Sequence, residues 1–137
     1  ILERDDVELG VVDERQAGMQ RRHASSRRPD RRVGRATADA VGERNAFFWA
    51  TPAGAELDLL LMLGGRRYGV EIKYSDAPTV TKSMHVARAD LALERIFVVT
   101  PGVERYELAE SIEVCPLPDL LTTLQRLQTT RVATRRP

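Results

Sequence analysis

Residues 56–73 read ELDLLLMLGGRRYGVEIK, and this stretch predicts a β-hairpin. Two runs of strand-forming residues flank Gly64 and Gly65, which suit a two-residue turn because glycine adopts positive φ readily. Such a turn pairs Leu63 with Arg66, and the residue numbers of every other opposed pair then add up to 129. A four-residue loop would keep this register, whereas a three-residue loop would shift it by one.

The register places four charged side chains on one face of the hairpin. Asp58 lies opposite Glu71, and Glu56 lies opposite Lys73. Opposed residues share a face, and so do residues two apart on one strand. The other face is predicted to be core, and it consists of Leu57, Leu59, Leu61, Leu63, Val70 and Ile72. Opposed carboxylates repel each other, and a bound Mg²⁺ or Mn²⁺ would reverse that effect because both ions prefer hard oxygen ligands.

Lys73 extends this pattern. It is one of two lysines among 21 basic residues, and its compact charge suits a water molecule or a phosphate oxygen. Two acids and a lysine on adjacent strands are typical of metal-dependent phosphodiesterases. In the alternative interpretation, Glu56 and Lys73 form an exposed ion pair worth less than about 1 kcal/mol. Asp58 and Glu71 would then face water without a metal.

The rest of residues 45–127 predicts helices and strands around the hairpin. These are a strand at Ala46–Ala50, a helix at Asp76–Leu91, a strand at Ile96–Thr100, an edge strand at Ile112–Leu117 and a helix through Leu120, Leu121, Leu124 and Leu127. The wholly apolar run at 96–100 predicts a strand buried on both faces, and Pro116 favours an edge position for the next strand. The predicted fold class is α/β, a mixed sheet with a central β-hairpin flanked by helices.

Both ends are predicted to lie outside the folded domain. Residues 1–14 carry a net charge of −5, and residues 15–35 carry +7 from eight arginines and one aspartate. A segment with so many charges and so few apolar side chains cannot bury enough surface to offset the entropy cost of ordering. Residues 1–44 are therefore expected to be disordered or foreign to the domain. An arginine arm that binds nucleic acid is the alternative, and Thr37–Val41 could belong to a short helix. Residues 128–137 are expected to form a disordered tail.

Composition excludes several classes of protein. No apolar run is long enough to cross a bilayer, and no secretory signal is present. One cysteine excludes an internal disulfide framework, and two distant histidines with that cysteine exclude a standard structural zinc site. The chain lacks the Gly-Lys-Ser/Thr motif, so we expect no ATP site. The default expectation is a cytoplasmic protein without a membrane partner.

Asp58, followed after twelve residues by Glu71-Ile72-Lys73, resembles the PD-(D/E)XK nuclease pattern. Four longer stretches look like the C-terminal domain of unknown function of a bacterial and archaeal AAA-type ATPase family: FFWATPAGAELDLLL, YGVEIKYSDAPTVTKSM, IFVVTPGVERYEL and IEVCPLPDLL. This resemblance covers about residues 45–121 and implies a restriction-endonuclease-like core, here lacking a clear first helix. The ATPase module is absent from this chain, so we expect a fragment of a larger protein.

The resemblance also implies roles for individual residues. Asp58 and Glu71 would be metal ligands together with the backbone carbonyl of Ile72. Lys73 would position the attacking water. Glu56 matches an acidic position that is common in the ATPase-associated version.

Two functional hypotheses follow, and the sequence leaves both open. The first is a nuclease that uses Mg²⁺ or Mn²⁺ and acts on DNA or another nucleic acid. The second is a degenerate, non-catalytic nuclease-fold module for protein or DNA interaction, with a non-functional remnant as a third option. The resemblance to the nuclease fold also implies a glutamate on the first helix, which completes the metal site in active members. Asp39 and Glu43 are poor substitutes for that glutamate here.

Overall fold

The structure is a computed structural model of the chain, and it describes residues 19–21, 31–75 and 77–135. The prediction for the N-terminal segment lies outside the described residues at positions 1–18 and 22–30. Within the described part, no helix combines the length and the apolar character that a membrane span requires.

The described part of the chain forms seven strands and three α-helices. In chain order these are β1 (Met19–Arg21), α1 (Arg31–Val41), β2 (Ala46–Ala50), β3 (Glu56–Leu63), β4 (Arg66–Ile72), α2 (Lys82–Leu91), β5 (Arg95–Val99), β6 (Tyr106–Ala109), β7 (Ile112–Cys115) and α3 (Leu117–Arg135). All seven strands join one sheet in the order β1-β2-β3-β4-β5-β7-β6. The β4–β5 and β5–β7 pairs are parallel and the others are antiparallel, so the sheet is mixed, as predicted.

The central hairpin has the predicted register. Pairing runs from Leu63–Arg66 to Leu59–Val70, and the residue numbers of each pair add up to 129. Gly64 and Gly65 both have positive φ, at 60° and 85°. Two positive φ angles in succession define the turn whose twist matches that of antiparallel strands, which explains why the turn consists of two glycines.

A β-bulge in β3 changes which face Leu57 occupies. Phe47 pairs with Leu60 and Trp49 pairs with Leu57. Between these two pairs β3 advances by three residues, whereas β2 advances by only two. The extra residue reverses the alternation of side chains. Leu57 therefore packs with Leu60 on the face covered by α2, and its predicted place beside Leu59 is wrong.

Strand β5 lies between two parallel neighbours, β4 and β7. As predicted, its apolar residues are buried on both faces of the sheet. The prediction of an edge strand at Ile112–Leu117 is wrong, because β7 pairs with both β5 and β6. Pro116 lies after β7 ends at Cys115, where its missing N–H interrupts no ladder. The strand at that edge of the sheet is β6, which the sequence pattern did not predict, and β1 lies at the opposite edge.

Each face of the sheet carries its own apolar core. Helix α2 covers one face, where the buried residues include Trp49, Leu57, Leu60, Met84, Ile96 and Val98. Helices α1 and α3 cover the other face, where they include Val41, Leu59, Leu61, Phe97, Leu120 and Leu124. Helices on both faces of one mixed sheet confirm the predicted α/β class.

Helix α1 corrects two predictions for residues 31–41, namely that the domain lacks a clear first helix and that this segment is disordered. Its inner side buries Thr37, Ala38 and Val41, while Arg32 and Arg35 face solvent. The hydroxyl of Thr37 donates to the carbonyl of Val33 at 2.8 Å and is thereby satisfied. The composition argument failed because small buried side chains and outward-facing arginines permit a packed helix despite low average hydrophobicity.

Helix α3 likewise corrects the predicted tail, because it runs through Arg135. Leu127 still packs against the core, and the Gln128 side-chain amide donates to the carbonyl of Ala40 in α1 at 3.2 Å. Contact with α1, which was itself not expected at full length, supports the helix beyond the last leucine of the sequence pattern.

Helix α2 begins at Lys82, later than the predicted Asp76. Thr81 has extended backbone angles, and its hydroxyl accepts a hydrogen bond from the N–H of Met84 at 3.2 Å. The helix therefore starts where a side chain caps it. One side of this helix is apolar, and its residues Met84, Ala87 and Leu91 are buried.

Candidate metal and catalytic site

Asp58 and Glu71 contact each other at the open end of the central hairpin. The backbone N–H of Asp58 donates to Oε1 of Glu71 at 3.2 Å. The backbone N–H of Ile72 donates to Oδ2 of Asp58 at 2.9 Å. Both acids are almost fully buried, with 8% and 7% of their surface exposed. The carboxylates thus accept backbone N–H groups just beyond the last paired residues of the ladder, Leu59 and Val70, and the two acids that the predicted register brings together are in contact.

The electrostatics of this pair are unfavourable for two negative charges. The pKa of the Glu71 carboxyl is raised from its ordinary value of 4.5 to about 8, chiefly by burial. The negative charge of Asp58 and a hydrogen bond with its side chain contribute to this rise, while the positive charge of Lys73 opposes it. Near neutral pH the pair therefore holds a proton unless a cation compensates its charge.

Lys73 is held directly beside these acids. Its backbone N–H donates to the carbonyl of Val99 at 2.9 Å, which continues the contact between β4 and β5 one residue past Ile72. Its side chain is half-buried, and its charge acts on the pKa of Glu71. The part of Ile72 that contacts the pair is its N–H, and the role of its carbonyl as a metal ligand stays a prediction.

Glu56 lies at the start of β3, two residues before Asp58, and is half-buried. Its backbone N–H donates to the hydroxyl of Ser83 in α2 at 3.4 Å. Asp39 and Glu43 are exposed. Across residues 19–21, 31–75 and 77–135, no three His, Cys, Asp or Glu side chains gather as a metal site would require, so none of these acids extends the Asp58–Glu71 pair to three.

Ser83 was not singled out by the sequence analysis. It lies in the first turn of α2, two residues after the Thr81 cap, and its hydroxyl ties that turn to the start of β3. The signal available in the sequence was a run of Thr and Ser around a helix start, which indicates capping but does not reveal contact with a distant strand.

The donor set fits a small hard cation that keeps part of its water shell. Mg²⁺ commonly binds proteins through one or two carboxylates and fills its other positions with water or substrate phosphate. Asp58 and Glu71 provide two carboxylates that are adjacent, buried and unable to carry both charges without compensation. The same pair supplies neither the sulfur nor the imidazole ligands that zinc prefers.

The aromatic residues of β2, the cysteine and His85 lie outside the Asp58–Glu71 pair. Phe47 and Trp49 are buried in the core, so they offer no surface on which bases could stack. Cys115 is buried, and burial, followed by the negative charge of Glu113, raises the pKa of its thiol to about 12. A thiol with such a pKa is not a nucleophile at neutral pH. His85 is exposed.

Part of the chain is similar in sequence to known proteins. Two curated relatives, an uncharacterized protein of Mycobacterium bovis and an uncharacterized protein of Mycobacterium tuberculosis, are each 42% identical to the chain over 77 residues. The matched segment is 56% of this chain but only 18% of each relative, so the chain spans about a fifth of the relatives' length. No solved structure matches the chain significantly, so its likeness to the restriction-endonuclease core stays a prediction.

The family description "Domain of unknown function (DUF4143)" matches residues 35–120, which include the starts of α2 and α3 and every strand from β2 to β7. The match also contains Asp58, Glu71 and Lys73. It covers more than half of the chain, and the chain therefore belongs to the DUF4143 family.

Proposed function

We propose that this domain is a nuclease module that binds Mg²⁺ or Mn²⁺ and hydrolyses phosphodiester bonds in nucleic acid. The observation that carries the proposal is the contact between Asp58 and Glu71, two buried carboxylates joined through backbone N–H bonds with Lys73 beside them. Buried charges of one sign are unfavourable without a compensating partner, and a bound cation would compensate the charges of this pair.

Each residue has a role in this proposal. Asp58 and Glu71 would hold the cation, with the Ile72 carbonyl as a further ligand. When bound, the cation would lower the pKa of a water molecule and neutralise negative charge on the phosphate. Lys73 would orient the attacking water or hold a phosphate oxygen, since its ammonium group is a compact donor next to Glu71. Glu56 is the exception: Trp49 and its partner Leu57 face α2, so the next pair, Ala50 and Glu56, lies on the opposite face of the sheet from Glu71.

A non-catalytic interaction module is the second candidate, and one observation favours it. Glutamate on the first helix completes the site of the nucleases that this chain resembles, but α1 offers only the exposed Asp39. The described residues contain no third acid beside Asp58 and Glu71. In either case the domain would act as part of a larger protein, and an attached ATPase module is the partner that the family resemblance suggests.

Cleavage assays with the full chain test the proposal. Supercoiled plasmid and labelled single-stranded DNA are incubated with Mg²⁺, Mn²⁺ or EDTA. We expect metal-dependent cleavage by the wild type, reduced on the order of 100-fold or more in Asp58→Asn and in Lys73→Ala, because each removes an interaction with the reacting groups. Glu94→Gln, which removes an exposed acid elsewhere, is the matched control and should cleave like the wild type.

Calorimetric titration with Mn²⁺ separates the two candidates. Binding by the wild type and its loss in Asp58→Asn would support the cation site even where turnover is slow. Absence of metal-dependent cleavage, or cleavage that survives both Asp58→Asn and Lys73→Ala, would refute the nuclease proposal and leave the interaction module.

A further inference from the structure

Large exposed hydrophobic side chains gather at one edge of the sheet. Within the described residues these are Tyr74, Val103 and Tyr106, with 58%, 85% and 38% of their surface exposed. The carboxyl ends of the parallel strands β4, β5 and β7 lie side by side, since Ile72 pairs with Val99 and Val99 pairs with Cys115. All three exposed side chains belong to segments at these ends.

The position of each segment follows from the topology. Tyr74 comes two residues after β4 ends. Val103 lies in the loop that leaves β5 and enters β6. Tyr106 is the first residue of β6 and pairs with Val114, next to the end of β7. Neighbouring strands are about 4.8 Å apart, so the row from β4 to β6 spans about 14 Å.

This row, Tyr74, Val103 and Tyr106, borders the Asp58–Glu71 pair. Glu71 precedes Tyr74 by three residues, and Asp58 contacts Glu71. Lys73 directly follows the end of β4, and Lys82, the other lysine of the chain, is the first residue of α2. Lys82 is exposed in the first turn of α2, next to Ser83, whose hydroxyl binds the backbone at the start of β3.

We infer that the substrate of the site is single-stranded nucleic acid, with bases stacked on the Tyr74–Val103–Tyr106 row and the adjoining backbone held by Lys82. Exposed aromatic side chains bind unpaired bases by stacking, without sequence preference. In a duplex the faces of the bases are already covered by their neighbours, so such a row offers a duplex little. The inference rests on the proposed function, because it names the substrate class of that site.

The charges at this edge favour the same conclusion. Duplex binding depends chiefly on cations that neutralise phosphates. Arg105, which lies in the same loop as Val103, is already engaged with Glu113 and Asp119. Among the described residues near this edge, the two lysines provide a short cationic stretch, which is enough for one strand and small for a duplex. The aromatic contacts must therefore supply much of the affinity.

Fluorescence anisotropy with the full chain in EDTA tests the inference. The probes are a labelled oligothymidine of about twenty nucleotides and a duplex of equal length. We expect tighter binding of the single strand, about tenfold weaker binding by Tyr74→Ala, and binding by Tyr74→Phe within about twofold of the wild type, because phenylalanine keeps the ring that stacks. Lys82→Ala should weaken binding and reduce the salt dependence by about 0.7 in slope. Arg44→Ala, which removes an exposed arginine before β2, is the control and should bind normally.

Three results would overturn the inference: equal or tighter binding of the duplex, wild-type affinity in Tyr74→Ala, or a loss of self-association in Tyr74→Ala with unchanged affinity for the oligonucleotide. The last would assign the edge to protein contact. The outcome is independent of turnover. Single-strand binding that depends on Tyr74 without any cleavage would refute the nuclease alone, whereas metal-dependent cleavage restricted to duplex DNA would refute the substrate class alone.

Discussion

Replacing Glu71 by glutamine should stabilise the metal-free protein at alkaline pH. In the folded chain the pKa of Glu71 is raised from 4.5 to about 8, chiefly by burial. A carboxyl with a raised pKa contributes stability below its unfolded pKa, and that contribution is lost as the pH rises through the folded pKa. Wild-type stability should therefore decline between about pH 4.5 and 8. Glutamine keeps a side-chain oxygen that can accept the N–H of Asp58 but carries no charge.

The size of the effect follows from the pKa. A rise from 4.5 to about 8 corresponds to an upper limit of about 5 kcal/mol, at about 1.4 kcal/mol for each tenfold change in proton affinity. Entry of water and movement of the carboxylate relieve part of this energy, so we expect Glu71→Gln to exceed the wild type by about 2–3 kcal/mol at pH 9. At pH 5 the two proteins should differ by less than about 1 kcal/mol.

Urea unfolding in EDTA from pH 5 to 9 measures the difference. Trp49 is the only tryptophan and is 2% exposed, so its fluorescence reports loss of the core. Glu94→Gln, an exposed acid, should follow the wild-type curve at every pH. Parallel stability–pH curves for the wild type and Glu71→Gln would refute the reasoning, since they would mean that the buried carboxyl has the same proton affinity in both states.

Three further predictions concern the cation, the packing around Gly69 and the helix propensity of α1. Millimolar Mn²⁺ at pH 8 should raise the thermal midpoint of the wild type but not of Asp58→Asn, because a ligand stabilises only the state that binds it; equal shifts in a thermal melt would contradict this. Gly69→Ala should destabilise the fold by about 1–3 kcal/mol, because the added methyl would lie 3.1 Å from both Leu57 and Leu93. Gly34→Ala meets no atom within 4 Å in helix α1 and should instead stabilise by about 0.5–1 kcal/mol in the same urea assay.

The central hairpin could be predicted because its determinants are local. Two adjacent glycines define the turn, and the turn then sets the pairing from Leu63–Arg66 to Leu59–Val70. Extending that register by one pair predicts that Asp58 and Glu71 lie together, and the two acids are in contact. No long-range information was needed for the residues that carry the candidate chemistry.

Helix α1 and strand β6 could not be predicted because their determinants are distant. Ala38 and Val41 bury little surface themselves, and they become core only where β3 and α3 cover them. Strand β6 has exposed residues at Tyr106 and Glu107, and it is a strand because it pairs with β7. Composition and periodicity describe one segment at a time, whereas these segments depend on surfaces provided by others.

The bulge in β3, which places Leu57 on the face that the alternation of the sequence did not predict, lies beside the candidate site. The extra residue between Leu57 and Leu60 turns Leu57 toward α2, where its side chain fills the space above Gly69. A larger residue at Gly69 would exclude Leu57, and regular alternation would return it to the opposite face. The ladder loses its regular pairing at this end of the hairpin, and there the carboxylates of Asp58 and Glu71 accept backbone N–H groups. The irregularity that defeats a period-of-two prediction is therefore part of what buries the two acids, as bulges beside functional sites commonly redirect side chains.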